Sequence, residues 1–142
     1  MSIFRSIYTI TAEAALTIVL AAQEAAKARN VPVVAAVVDA GGHLLACLRG
    51  DGAFVASIDI ARDKAWTAAI FGAHTDQLAS ALSHSQVLLA GIASRPNVVL
   101  FGGGMPVKQN GAVIGGIGVS GGTEDDDRAC AAAGLAALGL AP

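Results

Sequence analysis

Asn110-Gly111 separates two strand-like runs, Met105 to Gln109 and Ala112 to Val119. An Asn-Gly pair accepts positive φ at both central positions of a type I′ turn, whose twist matches that of the strands it joins, so it predicts a tight hairpin. A chain organised around such a turn builds its sheet from antiparallel neighbours. The same logic applies upstream, where the apolar run Val33 to Val38 is too short for a helix and turn-forming Asp39-Ala40-Gly41-Gly42 separates it from His43 to Arg49. Strict alternation in that second strand puts His43, Leu45, Cys47 and Arg49 on one face and Leu44, Ala46 and Leu48 on the other. Val98 to Phe101 is also strand-like, which makes about five strands.

The remaining segments read as helices. Thr11 to Arg29 is rich in Ala, Leu and Glu, is capped by Thr9 or Thr11, and ends at Asn30 before Pro32. A second helix runs from about Phe54 to Phe71, with Gly72 as its stop. Thr75 caps a short third helix to about Leu82, and Ser83 to Pro96 is the least regular stretch, helical near Val87 to Ile92. The last helix starts at Thr123, with Asp126 placed for a capping box, and continues to about Leu138. Helices and tightly connected strands in this order predict an α+β architecture with an antiparallel sheet, in one domain over residues 1–142.

Composition narrows the partners. Charged residues are 14% and hydrophobic residues 54% of the chain, too few polar groups to coat a monomer of this size, so part of the apolar surface is expected between subunits of a homo-oligomer. The net charge is −2 and the nine basic residues are scattered, which argues against nucleic acid. No apolar run reaches membrane-spanning length, and no signal-peptide pattern opens the sequence; a cytoplasmic protein is expected. Cys47 and Cys130 form no C-x-x-C pair, and His43, His74 and His84 show no metal-ligand spacing, so no metal site is assigned.

Several segments carry chemistry beside an ordinary structural alternative. Gly116-x-Gly118-x-x-Gly121 has the letters of a dinucleotide fingerprint, but its strand belongs to a hairpin and no βαβ unit follows, so neither nicotinamide nor flavin is expected. Ser120-Gly121-Gly122 entering a helix offers backbone amides to an anion, while Asp125, Asp126 and Asp127 in the next turn either complement the helix dipole or hold a divalent metal. Lys64 shares a helical stripe with Ile60, Thr67 and Phe71; it is either a surface lysine or the fixed positive charge of a pocket. Arg49 and Asp51, flanked by Gly50 and Gly52, line the same pocket or pair with each other. Trp66 lies on the stripe of Asp59, Asp63 and Ile70, suited to a subunit contact.

Taken together, Val37-Val38-Asp39-Ala40-Gly41-Gly42-His43-Leu44, Arg49-Gly50-Asp51-Gly52-Ala53, Ser57-Ile58-Asp59-Ile60-Ala61 with Lys64-Ala65, Phe101-Gly102-Gly103-Gly104-Met105-Pro106 and Gly115-Gly116-Ile117-Gly118-Val119-Ser120-Gly121-Gly122 resemble the GlcG/HbpS-like family, also described as the heme-degrading or PduO C-terminal type domain. The resemblance spans about Thr9 to Leu138. It implies a profilin-like antiparallel sheet flanked by helices, self-association, and binding of heme or a related tetrapyrrole. It also implies a place in catabolism, with some relatives similar to lyases of hydroxylaminobenzoate-type substrates. Lys64, Gly102 to Gly104, Ser120 to Gly122 and Asp127 match recurrent family positions. Where many relatives carry a His, this chain has Leu48, which removes one iron ligand.

Three functions follow as expectations. One is a small-molecule-binding protein for heme or another planar, carboxylate-bearing ligand, contacted by Arg49, Lys64, Gly102, Gly103, Gly104, Ser120, Gly121 and Gly122. Another is a cofactor-free lyase or isomerase of a small aromatic or hydroxy acid, with Lys64, Asp127 and Asp51 as catalytic groups. The third is an accessory subunit that stabilises a pathway enzyme.

Overall fold

The computed structural model describes residues 1–142. Thr11 caps α1 (Ala12–Ala28) by accepting the Ala14 N–H at 3.2 Å, and the buried stripe Ala15, Ile18, Val19, Ala22, Gln23 and Ala26 follows helical spacing. The hairpin β1 (Val34–Asp39) and β2 (Leu44–Arg49) follows, then α2 (Ala56–Phe71), which stops at Gly72 in the left-handed region. Two short helices, α3 (Thr75–Leu82) and α4 (Gln86–Ala93), lead to the hairpin β3 (Gly104–Gln109) and β4 (Ala112–Ser120), and α5 (Glu124–Ala136) follows. Asn110 and Gly111 both have positive φ, 51° and 79°, as the Asn-Gly turn requires.

The sheet is antiparallel throughout, in the order β2-β1-β4-β3. Helices α1 and α5 cover one face and α2 the other. This explains the unbroken apolar run of β1: Val33, Ala35 and Val37 pack toward Ile18, Cys130 and Leu135, whereas Val34, Ala36 and Val38 pack toward Ala61, Ala65 and Ala69 of α2. Glycines bring α2 unusually near the sheet. A Cβ on Gly116 would run into the Ala65 carbonyl and one on Gly118 into the Ala61 carbonyl, so these strand glycines accommodate a neighbouring backbone.

Three expectations need correction. The sheet has four strands, because the segment from Val98 to Phe101 joins no ladder. Side chains satisfy its backbone instead: the Thr67 hydroxyl donates to Asn97 O at 2.9 Å and accepts from Val99 N at 3.0 Å, and Thr75 donates to Phe101 O at 2.6 Å. Thr75 therefore does not cap α3. His74 occupies that position, and the Thr75 hydroxyl, facing inward, also accepts from Gly104 N at 3.1 Å. In β2, a bulge opposite Val37 and Val38 breaks the strict alternation, so Leu45 and Ala46 both pack against the α1 side.

Candidate functional site

Helix α2 is held at the sheet so that Lys64 points between β4 and the segment Phe101 to Gly104. Its side chain is 1% exposed. The ammonium donates to Val119 O at 2.8 Å and to Asp127 Oδ2 at 3.0 Å, and it sits 5.0 Å from the centre of the Phe101 ring. An ammonium has three N–H donors. Two are taken by protein oxygens, and the remaining side is covered by an aromatic ring that is itself 48% exposed. Gly103 makes this geometry fit: its φ is +122°, and a Cβ there would lie 2.8 Å from Lys64 Nζ and 2.6 Å from Val119 O.

Asp127 completes the centre from the first turn of α5. One carboxylate oxygen faces Lys64, and Oδ1 accepts from Gly122 N at 3.0 Å. Burial pushes the Lys64 pKa down and the Asp127 pKa up, and in each case the partner's charge works against the shift. Both groups thus move toward neutrality, a pattern that marks functional sites more often than ordinary surface pairs.

The three consecutive aspartates have separate partners. Asp125 accepts from Arg128 Nη1 at 2.7 Å, Asp126 forms the capping box with Thr123 and an ion pair with Arg29 at 2.9 Å, and Asp127 faces inward. The Gly122 amide, read from sequence as open to an anion, is already satisfied by Asp127. Ser120 is buried with its hydroxyl 3.3 Å from that of Ser57, and Gly121 lies against the backbone of Pro32 and Val33. Gly102 donates its N–H to Glu124 Oε1 at 2.6 Å and packs against the Arg128 guanidinium, while Gly104 donates to Thr75.

Lys64, Asp127, Gly103, Gly104 and Gly122 are therefore brought together, with Gly102 beside them against Arg128, whereas Ser120 and Gly121 contact Ser57, Pro32 and Val33. Arg49 and Asp51 are both exposed and share no hydrogen bond or ion pair with that group. Arg49 donates to Ala53 O at 3.3 Å, and Asp51 borders a shallow surface with Lys27 and Asn30. His43 pairs with Asp39 at 3.2 Å in the first hairpin turn, and the His84 ring lies 3.0 Å from Ala81 O. Trp66 is half-buried, with Phe71 edge-on at 6.4 Å.

Residues the sequence did not single out hold the site's rim. Phe101 covers the ammonium, Thr67 and Thr75 anchor the segment carrying it, and Arg128 joins α5 to α3 through Asp76 at 2.6 Å. Of these, only the contacts of Arg128 with Glu124 and Asp125 follow a helical spacing visible in the sequence. The largest concavity, about 590 Å³, lies elsewhere, among Tyr8, Thr9, Gln109, Asn110, Ala112 and Ile114. It holds no charged group, in contrast to the closed Lys64 centre.

Residues 10–136 match the family described as "Haem degrading protein HbpS-like". Over 125 residues the chain is 43% identical to an uncharacterised 15.0 kDa protein in the dhaT-dhaS intergenic region of Citrobacter freundii, covering 87% of this chain and 88% of that one. It is 36% identical over 122 residues to the corrinoid adenosyltransferase PduO of Salmonella typhimurium, covering 84% of this chain but only 36% of that longer protein. Among solved structures, the ORFY protein of Klebsiella pneumoniae superposes with a TM-score of 0.91 at 39% identity, covering 97% of this chain and 96% of that one. A structure described as a PduOC:Heme complex superposes with a TM-score of 0.84 at 31% identity, covering 93% and 96% respectively.

Proposed function

This chain belongs to the HbpS-like family, and from that premise we propose that it is an oligomeric binding protein for a planar, carboxylate-bearing small molecule such as heme. The observation that carries the reading is the closed face of Lys64. Its ammonium has one side without a protein oxygen, and only the half-exposed Phe101 ring lies over it. A planar ligand that takes the ring's place brings its carboxylate to the free N–H, where the low-dielectric surroundings strengthen a charge-assisted hydrogen bond. The neighbour crystallised with heme supports the ligand class.

The donors present do not fit iron ligation at this centre. Position 48 is Leu, the thiol of Cys47 next to it has its pKa pushed up by burial, His43 and His84 are engaged at exposed turns, and His74, at the start of α3, borders a separate surface with Gly72, Gln77 and Pro106. Cys130 and Met105 are buried in the core between the sheet and α1 and α5. The proposal accordingly rests on the ligand's plane and its carboxylate. Hemin titrated into the wild-type chain should shift the Soret band and saturate near stoichiometry. Lys64→Met combined with Asp127→Asn removes both charges while keeping an acceptor for the Gly122 amide, and it should lose that binding. An absent Soret shift in the wild type, or an equal one in the double variant, refutes the reading.

The opposed pKa shifts favour one second reading, a cofactor-free lyase or isomerase of a small aromatic or hydroxy acid. In it, Lys64 orients the substrate carboxylate and Asp127 moves a proton. Turnover of a hydroxylaminobenzoate-type substrate by the wild type, abolished in Asp127→Asn, would establish it; no turnover by the wild type would exclude it.

A further inference from the structure

We infer that Lys64 is a nucleophile for small, uncharged aldehydes, condensing with them to a protonated Schiff base while Asp127 carries the proton between nitrogen and oxygen. This goes beyond the reading above and does not depend on it. The ammonium holds an anion, whereas the free amine of the same side chain attacks a carbonyl carbon.

The surroundings of Nζ suit a free amine. Val119 O lies 2.8 Å away and Asp127 Oδ2 3.0 Å. A neutral amine has two N–H bonds and one lone pair, so with both N–H bonds on those oxygens the lone pair takes the remaining tetrahedral position. The Phe101 ring covers that side. It is a removable cover: the residue is 48% exposed, and its segment joins no ladder but hangs from the hydroxyls of Thr67 and Thr75. Burial favours the uncharged amine, the usual way a lysine becomes nucleophilic. The chain's other two lysines have no such setting, since Lys27 pairs with Glu24 in solvent and Lys108 is exposed on β3.

The step balances without any further reagent. The ammonium first releases one proton to solvent. Nζ then forms a bond to the carbonyl carbon as the C=O π pair moves onto oxygen, and Asp127, already hydrogen-bonded to Nζ, takes a proton from nitrogen and delivers it to that oxygen. The C–O bond breaks, and the hydroxyl leaves as water with the proton first released. An ammonium and an aldehyde thus become an iminium and water, and Asp127 ends as a carboxylate.

Two features set the substrate class. In the attacking state the amine is neutral and Asp127 ionised, with Glu124 also acting on Nζ, so a substrate anion is repelled. Space beside Nζ is narrow, because even a Cβ on Gly103 would come within 2.8 Å of it, which favours the single substituent of an aldehyde over the two of a ketone.

Borohydride trapping tests the inference. The full-length chain is incubated with acetaldehyde at pH 7, reduced with sodium borohydride to fix any imine as a secondary amine, and mapped by peptide mass spectrometry. Lys64 should gain an ethyl group at least about tenfold faster than Lys27 or Lys108, since each unit by which a lysine pKa falls exposes about tenfold more free amine. Modification of Lys27 and Lys108 without Lys64 overturns the inference. Phe101→Ala should speed the reaction at Lys64 and leave Lys27 unchanged. Asp127→Asn separates a proton carrier from a mere charge partner. Without the carboxylate the Lys64 pKa falls further, so loss of a partner alone would speed trapping, whereas loss of the carrier should slow it at least about tenfold. Faster trapping in that variant overturns the role of Asp127. Trapping at Lys64 in a chain that binds no hemin upholds this inference and refutes the ligand reading; hemin binding without trapping does the reverse.

Discussion

Replacing Asp127 with Ala strands an ammonium that is 1% exposed, leaving the Val119 carbonyl as its only oxygen partner. Breaking a buried pair in this way costs about 3–5 kcal/mol, because the remaining charge has lost its compensation. An independent bound gives a similar figure. Lys64 can avoid burying its charge by releasing the proton, and doing so at pH 7 for a group with an ordinary pKa of 10.5 costs about 5 kcal/mol. For a domain of this size the thermal midpoint should fall by roughly 10–15 °C. The pH dependence identifies the cause. Once the folded-state pKa of Lys64 has been lowered, the unfolded chain binds more protons between that value and 10.5, so stability rises with pH across the window. The loss in Asp127→Ala should shrink to about 2 kcal/mol or less by pH 9. Thermal denaturation of wild type and variant from pH 6 to pH 10 measures both quantities. A loss below about 1 kcal/mol at pH 7, or one unchanged up to pH 10, would falsify the assignment of a buried, charged Lys64.

The mirror-image variant, Lys64→Met, leaves a buried carboxylate. Because the Asp127 pKa is then raised further, the folded state binds more protons above pH 3.8 and stability falls as pH rises; the deficit should reach at most about 4 kcal/mol at pH 7 and nearly vanish by pH 4 in the same melts. Phe101→Ala removes the ring over the ammonium, so it should cost about 0.5–2 kcal/mol of stability yet speed hemin association in stopped-flow measurements, since nothing then needs to move aside. Gly118→Ala drives a methyl group into the Ala61 carbonyl and the Ala65 amide, and urea titration should show a loss of about 3 kcal/mol or more, with Gly91→Ala, which meets nothing, as the tolerated control.

Much of the fold was legible because local signals agreed with the tertiary result. Thr11, Gly72 and the Thr123–Asp126 box bound their helices where read, and Asn110-Gly111 closed its hairpin. The fifth strand misled because Val98 to Phe101 has strand-like residues but finds its hydrogen-bond partners on Thr67 and Thr75, some 25 to 35 residues earlier in the chain. The same non-local pairing hid Phe101 as a site residue. Lys64 was visible as a charge in a partly apolar stripe, and Asp127 was singled out from its two acidic neighbours by the family resemblance, since composition and spacing alone do not separate the three. Their separation comes from the α5 helix, whose rotation turns Asp127 inward while Asp125 and Asp126 meet Arg128, Thr123 and Arg29. Arg49 and Asp51 looked like pocket residues because of their flanking glycines, which instead form a turn, with Gly52 at φ +87°.

The central claim is that a ligand's carboxylate meets the Lys64 ammonium in the place the Phe101 ring now occupies. Binding of protoporphyrin IX and of its dimethyl ester, followed by fluorescence on the same wild-type protein, tests it directly, because the two ligands share a plane and differ in charge. The free acid should bind at least about tenfold more tightly, the scale of a charge-assisted hydrogen bond. Equal affinities would mean that the ammonium takes no part in recognition.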